Sequence, residues 1–347
     1  MIKNKWFWVS VCLAVVFAIF YNRRELVSQD TSKVPRIAFV LGGSEPFREQ
    51  VASGAREAAK QYNADIEFIV PEEEASYQTE LLARIDPTEF EGVAISPLEP
   101  QAQARTISAL STRTKVVTYD NEVPEAVFHR HVGTNNYVAG TLCGQLIKEA
   151  LPDGGKIALF VGTNDRLNAQ HRRQGLVDAL KGTRRTPGAD LDPIDQTIEA
   201  GNFTIVATYI DNMIPAVAKE NAVSALKEHP DLDGMIGLYG YNGPMCLEVL
   251  DEAKKLGEIA VIAFDDQEPT LAGIEAGNIF ATVAQNPNQY GYEAVRVLAD
   301  MSRNKYAAGA GLYAVPSTLY IPCTAVKAEN LSEYRSKLDK QRTESPE

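Results

Sequence analysis

The chain has 347 residues, 45% of them hydrophobic, and carries a formal net charge of −12. That length is enough for two packed α/β domains. Arg172-Arg173 and Arg184-Arg185 are isolated pairs rather than parts of a basic stripe. This disfavours nucleic-acid binding, because neutralising phosphates requires clustered Lys and Arg.

The N-terminus, Met1-Ile-Lys-Asn-Lys5, is basic; Trp6 to Tyr21 is apolar apart from Ser10, and Asn22-Arg-Arg24 ends the run. Residues 1–24 read as a signal sequence or a signal anchor. No small-x-small cleavage site follows, which favours an N-terminal membrane tether, and Cys12 sits too early for a lipoprotein site. In either case the chain is expected to be exported to a periplasmic or other extracytoplasmic space. Residues 25–34 form a polar linker.

Apolar β-branched runs then recur at Ile37–Leu41, Ile66–Val70, Val93–Ile95, Val116–Tyr119, Ile157–Val161, Ile205–Tyr209, Met235–Tyr239, Ile259–Phe264 and Phe280–Ala284. Helical periodicity separates many of them, as in Phe47–Tyr62, Asn136–Ala150, Ala216–Lys227 and Met245–Leu256. Alternation of this kind predicts βαβ units with helices on both faces of parallel sheets, and so many strands predict two sheets. Residues 182–202 carry Pro187, Gly188, Pro193 and Gly201 and read as an irregular surface connection. The segment after Ala328 is charged, and residues 329–347 are expected to form a polar tail ending in disorder.

Ligands of open α/β sheets sit beyond the carboxyl ends of the strands. Those positions hold Gly42-Gly-Ser-Glu45-Pro-Phe47, Ser96-Pro97, Asp120-Asn121, Gly162-Thr-Asn-Asp165, Asp211-Asn212, Gly240-Tyr-Asn242, Asp265-Asp266 and Gln285-Asn286. Single Asp and Asn residues there are also ordinary helix caps and turn formers. Together they form a set that can pair with vicinal hydroxyls, with Arg adding a fixed fork of donors. Phe47 and Tyr241 are candidates to cover the apolar face of a sugar ring.

These residues resemble the ribose- and galactose-type periplasmic sugar-binding proteins, from about Arg36 to about Ala328. The resemblance rests on Ala263-Phe-Asp-Asp266 followed by Ala281-Thr-Val-Ala-Gln285-Asn-Pro-Asn-Gln-Tyr-Gly291. Pro46-Phe47, Ser96-Pro97, Tyr119-Asp120, Gly133-Thr-Asn-Asn136, Gln170-His-Arg172-Arg-Gln-Gly175 and His229-Pro-Asp231 extend it. It implies the type I periplasmic binding protein fold: two Rossmann-like lobes with parallel sheets joined by a three-stranded hinge near Gly133, Gln285 and Pro316. The N-terminal lobe would comprise 35–133 plus 287–316, and the C-terminal lobe 134–286 plus 317–328.

Carried over by position, Asp120 and Asp265 clamp ligand hydroxyls, Arg172 supplies charged donors, Asn242 an amide, Gln285 a hinge-side contact and Phe47 a stacking ring. Asp211 or Asn212 lies where the family has a ligand-facing residue. Glu45, Ser96 and Asn121 depart from the usual sugar-binding residues and argue against ribose in its usual pose. The resemblance implies a monomer without cofactor or metal that captures a sugar-like ligand by hinge closure. It would deliver the ligand to the permease of an ABC importer or, alternatively, signal to a membrane sensor such as a chemoreceptor or histidine kinase.

Other readings fare worse. His129 and His131 share a strand face but have no nearby partners at metal-ligand spacing. His171 lacks a Ser or Cys nucleophile elbow, and Gly42-Gly-Ser44 lacks dinucleotide-binding spacing. A transcription regulator of this fold would carry a helix-turn-helix where the apolar segment stands. Cys143, Cys246 and Cys323 show no metal spacing and read as buried thiols, with a disulfide between two of them as the alternative.

Overall fold

The computed structural model describes residues 33–43, 45–71, 75–123, 130–186, 189–303 and 317–343. The apolar N-terminal segment, His129, Pro316 and the last four residues lie outside them.

The first sheet has the order β2-β1-β3-β4-β5-β12 and is parallel throughout. Its strands are β1 (Arg36–Val40), β2 (Asp65–Ile69), β3 (Gly92–Ile95), β4 (Lys115–Tyr119), β5 (Arg130–Gly133) and β12 (Thr318–Tyr320). Successive side chains of a strand point to opposite faces. Ile37 and Phe39 accordingly face one core and Ala38 and Val40 the other. The first face is covered by α1 (Glu45–Gln61) and α9 (Pro287–Ser302), the second by α2 (Ala75–Arg84) and α3 (Pro100–Ser111).

The second sheet has the order β13-β11-β10-β9-β6-β8-β7. It comprises β6 (Gly155–Val161), β7 (Ile198–Ala200), β8 (Phe203–Ile210), β9 (Gly234–Gly237), β10 (Ala260–Phe264), β11 (Ala281–Ala284) and β13 (Thr324–Lys327). Only the outermost pairs, β7–β8 and β11–β13, are antiparallel. One face packs against α4 (Asn136–Ala150) and α5 (Leu167–Lys181). The other packs against α6 (Pro215–Glu228), α7 (Asn242–Glu252), α8 (Glu268–Glu275) and α10 (Leu331–Thr343).

Two helix pairs cross at unusually close range, and glycine permits it. A Cβ at Gly140 would overlap the Arg172 carbonyl and one at Gly175 the Tyr137 carbonyl, so α4 and α5 meet backbone to backbone. Gly54 and Gly291 do the same for α1 and α9.

The two-sheet α/β architecture matches the sequence reading. The chain passes between sheets after β5, after β11, and between Tyr320 of β12 and Thr324 of β13. The third passage therefore falls beyond the expected Pro316, because residues 318–320 pair with β5 before the chain leaves.

Two further expectations change. The segment read as a polar tail forms α10, anchored by Leu331 and Leu338, which are 5% and 8% exposed. The 182–202 connection ends in β7, and its irregular part is pinned where Arg173 donates to the carbonyls of Asp192 and Pro193. Cys143, Cys246 and Cys323 are free thiols.

Candidate functional site

The carboxyl ends of both sheets converge on one cleft, and the same local device appears on each side of it. Asp120 follows β4 and Asp265 follows β10; their φ angles are 62° and 61°, in the left-handed region. Asp tolerates that region better than most residues. Each backbone N–H still completes the sheet ladder, Asp120 to Val132 and Asp265 to Val283, both at 3.0 Å. The strand end is thus held by its neighbour while the backbone turns sharply at the aspartate.

The carboxylates are braced differently. Asp120 Oδ2 accepts from Ser96 Oγ (3.3 Å) and Asn121 Nδ2 (3.1 Å). Asp265 Oδ1 accepts from Gln285 Nε2 (2.8 Å). Burial raises the Asp120 carboxyl to about 6; Arg172 pulls it down and Asp265 pushes it up. Asp265 is likewise raised by burial, with Arg172 and Gln285 opposing the shift. Two desolvated acids share one guanidinium, an arrangement that favours a ligand bringing hydroxyl donors.

Arg172 is 4% exposed. Its Nε and Nη2 donate to Asn136 Oδ1 at 3.1 and 2.8 Å, and Nη1 donates to the Leu238 carbonyl at 2.6 Å. The guanidinium lies over the Phe264 ring, 4.3 Å from its centroid. A guanidinium carries five N–H donors, so two remain for other acceptors among the described residues.

Gln285 is 8% exposed and Asn121 7%. Asn121 Oδ1 accepts from Asn168 Nδ2 (3.0 Å), a bond that joins the first sheet's edge to α5 of the second lobe. Gln101 Nε2 makes a second such bond to the Asp165 carbonyl (2.8 Å). Phe47 is half-buried near Tyr290, with ring centroids 6.1 Å apart. The side chain of Glu45, the first residue of α1, lies outside the described atoms.

Ser96, Asp120, Asn121, Arg172, Asp265 and Gln285 are therefore brought together. Asp211 and Asn242 sit differently. Both are fully buried. Asp211 accepts from Tyr241 Oη, the Met213 N–H (2.8 Å) and Asn242 Nδ2 (2.8 Å), and Asn242 Oδ1 accepts from the Tyr239 N–H (3.0 Å). The pair is occupied in fixing the loop that carries Tyr239 and Tyr241, in place of the ligand-facing positions expected for it.

Four residues matter here that the sequence did not single out for the site. Asn136 read as the first residue of a helix, and nothing in the sequence marked Asn168. Tyr290 stands inside the Gln285–Gly291 motif, which gave it no role of its own. Tyr239 ended an apolar run, yet its hydroxyl is buried without a hydrogen-bond partner among the described residues. Its ring lies 5.8 Å from the Arg172 guanidinium carbon. Beside the Arg172–Asn136 contact, a cavity of about 200 Å³ is lined by Glu122, His131, Asn168, His171 and others. His131 Nδ1 shares a hydrogen bond with Thr118 (3.0 Å). Among the described residues no group of three or more His, Cys, Asp or Glu is placed to hold a metal.

Comparison with known proteins agrees with the fold. The family described as "Periplasmic binding protein domain" matches residues 37–305. The D-ribose/D-allose-binding protein of Pseudomonas aeruginosa is 23% identical over 273 residues, covering 75% of this chain and 79% of that protein. The ribose import binding protein RbsB of Bacillus subtilis is 24% identical over 262 residues, covering 75% and 79%. Among solved structures, a Burkholderia graminis ABC transporter solute-binding protein in complex with D-arabinose superimposes with a TM-score of 0.75 at 24% identity, covering 87% of this chain and 98% of that one. The glucose-galactose binding protein GanP of Geobacillus stearothermophilus gives 0.73 at 23% identity, covering 86% and 99%. With two helix-covered sheets, three passages between them and a cleft at their carboxyl ends, the chain belongs to the periplasmic binding protein family.

Proposed function

We propose that the chain is an exported solute-binding protein that encloses a small polyhydroxylated ligand between its lobes and delivers it to an ABC-type importer. The observation that carries this reading is the pair Asp120 and Asp265, one from each sheet, both within the electrostatic reach of the Arg172 guanidinium, which keeps unused donors. Carboxylates accept from ligand hydroxyls and Arg172 donates to ring or hydroxyl oxygens. The Tyr239 hydroxyl supplies another polar group with no protein partner among the described residues. None of these groups needs to make or break a covalent bond.

Relatives that bind ribose, allose or arabinose support a monosaccharide. Ser96 and Asn121 support a pose unlike that of ribose, because Ser96 braces Asp120 and Asn121 is engaged by Asn168. Binding would close the lobes about the three passages, driven by the ligand's higher affinity for the closed form.

A thermal-shift screen over pentoses, hexoses, polyols and amino sugars tests the reading, since a ligand of the native state raises the melting temperature. At least one such compound should do so. A shift given only by another ligand class would overturn it.

The basic-then-apolar stretch from Met1 to Tyr21 favours a second reading, a membrane-tethered sugar sensor acting through a chemoreceptor or histidine kinase. Recovery of the full chain from membranes bound to such a receptor would select it; recovery with permease subunits would select transport.

A further inference from the structure

A continuous line of hydrogen bonds runs through all three passages between the lobes and ends on Asp265. Cys323 lies on the third passage, 3.5 Å from Thr134 Oγ1 on the first. Thr134 Oγ1 hydrogen-bonds Tyr290 Oη, from α9. Tyr290 Oη reaches Gln285 Oε1 (3.2 Å) on the second passage, and Gln285 Nε2 donates to Asp265 Oδ1 (2.8 Å).

Donor counting gives this line a direction. A phenol has one proton, and a carboxamide oxygen can only accept. The Tyr290 proton therefore goes to Gln285, Thr134 donates to Tyr290, and the Cys323 S–H donates to Thr134. With its oxygen held by Tyr290, the Gln285 amide must present its NH₂ to Asp265. Turned over, it would set an oxygen lone pair against the carboxylate.

We propose that Tyr290 is a positioning residue for the ligand carboxylate Asp265, acting through Gln285, with Thr134 and Cys323 tying the same line to the other two passages. Tyr290 is fully buried. Burial holds its hydroxyl far above its ordinary pKa, so it stays a donor at any working pH. The inference rests on reading Asp265 as a ligand group, but its structural part can be measured without a ligand.

The test is the pH titration of the Asp265 carboxyl carbon by NMR in the ligand-free protein, wild type against Tyr290→Phe. Asp265 is faced by Arg172, Asp266 and, across the cleft, Asp120, with the neutral groups of Gln285, Tyr334 and Cys323 around it. The Gln285 amide lowers the Asp265 pKa. Loosening that amide should therefore move the midpoint to higher pH. Thr134→Val should move it in the same direction by less, which keeps the test open if Tyr290→Phe folds poorly. Tyr292→Phe, on the same helix but bonded to Gln61 (2.8 Å), should leave it unchanged.

With D-allose and D-ribose as probes, Tyr290→Phe should bind roughly three- to tenfold more weakly, the scale of one net hydrogen bond. Its acid-side loss of binding should begin at higher pH. A lower melting temperature with an unchanged Asp265 midpoint would assign Tyr290 to packing alone and overturn the proposal. Failure of wild type to bind any sugar would instead count against the proposed function and leave the titration result standing.

Discussion

Asp120 and Asp265 occupy equivalent places in the two sheets. Each ends a central parallel strand in the left-handed region and donates its N–H to the neighbouring strand, Asp120 to Val132 and Asp265 to Val283. Backbone strain of this kind, of order 1–3 kcal/mol, persists where surrounding structure enforces it and clusters at ligand sites. Here it recurs on both sides of one cleft.

Replacing Asp265 with Ala should leave the fold intact and weaken ligand binding roughly tenfold to a hundredfold, the range for a lost charge-assisted hydrogen bond. Calorimetric titration alongside the far-UV spectrum checks this. Wild-type affinity in a folded variant would remove Asp265 from the site.

Asp120 should make both stability and binding depend on pH. Its carboxyl is raised from 3.8 to about 6 in the folded protein. Between those values the native state holds more protons than the unfolded chain, so this group's contribution to stability falls as pH rises through the window. Asp120→Asn should accordingly be more stable than wild type, without ligand, at pH 7.5, and the gain should vanish near pH 4. Ligand hydroxyls favour the ionised form, so affinity should fall below about pH 6 with proton release on binding. Denaturant titrations at several pH values, and calorimetry in buffers of different ionisation enthalpy, measure both effects.

The α4–α5 crossing should be intolerant of any side chain. Gly140→Ala places a methyl against the Arg172 carbonyl, so the helices must separate. Overpacking of this kind costs about 1–3 kcal/mol. Because Arg172 rides on α5 and is held by Asn136 on α4, ligand affinity should fall with stability. Urea unfolding and calorimetry on the same variant test whether the two losses go together.

Removing residues 329–347 should destabilise the second lobe. Leu331 and Leu338 pack on its outer core, and Tyr334 Oη donates to Asp266 (2.9 Å). At roughly 1.5–3 kcal/mol for each buried leucine, the loss should reach several kcal/mol. A melting temperature equal to that of the full chain would show that α10 is dispensable.

Much of this was legible in the sequence, for a physical reason. Strand ends in a parallel sheet are where apolar runs such as Val116–Tyr119 and Ile259–Phe264 give way to Asp120 and Asp265, so the cleft edge shows as a change in composition. Burial does not show in this way. Asp211 and Asn242 sit at equivalent edges, yet they bond each other beneath the surface. Nothing in the sequence marks Tyr239, the end of an apolar run, or Tyr290, inside the Gln285–Gly291 motif, because a ring buries the same way whether or not its hydroxyl is needed. The helix from Leu331 was hidden because only a few of its residues face the core and the rest are polar or charged.

The most direct measurement is a crystal structure of the protein with the sugar or polyol that most raises its melting temperature. That compound should lie between the two strand ends, with hydroxyls on Asp120 and Asp265 and an oxygen accepting from Arg172. Density for it anywhere else, or a ligand contacting only one sheet's edge, would contradict the account.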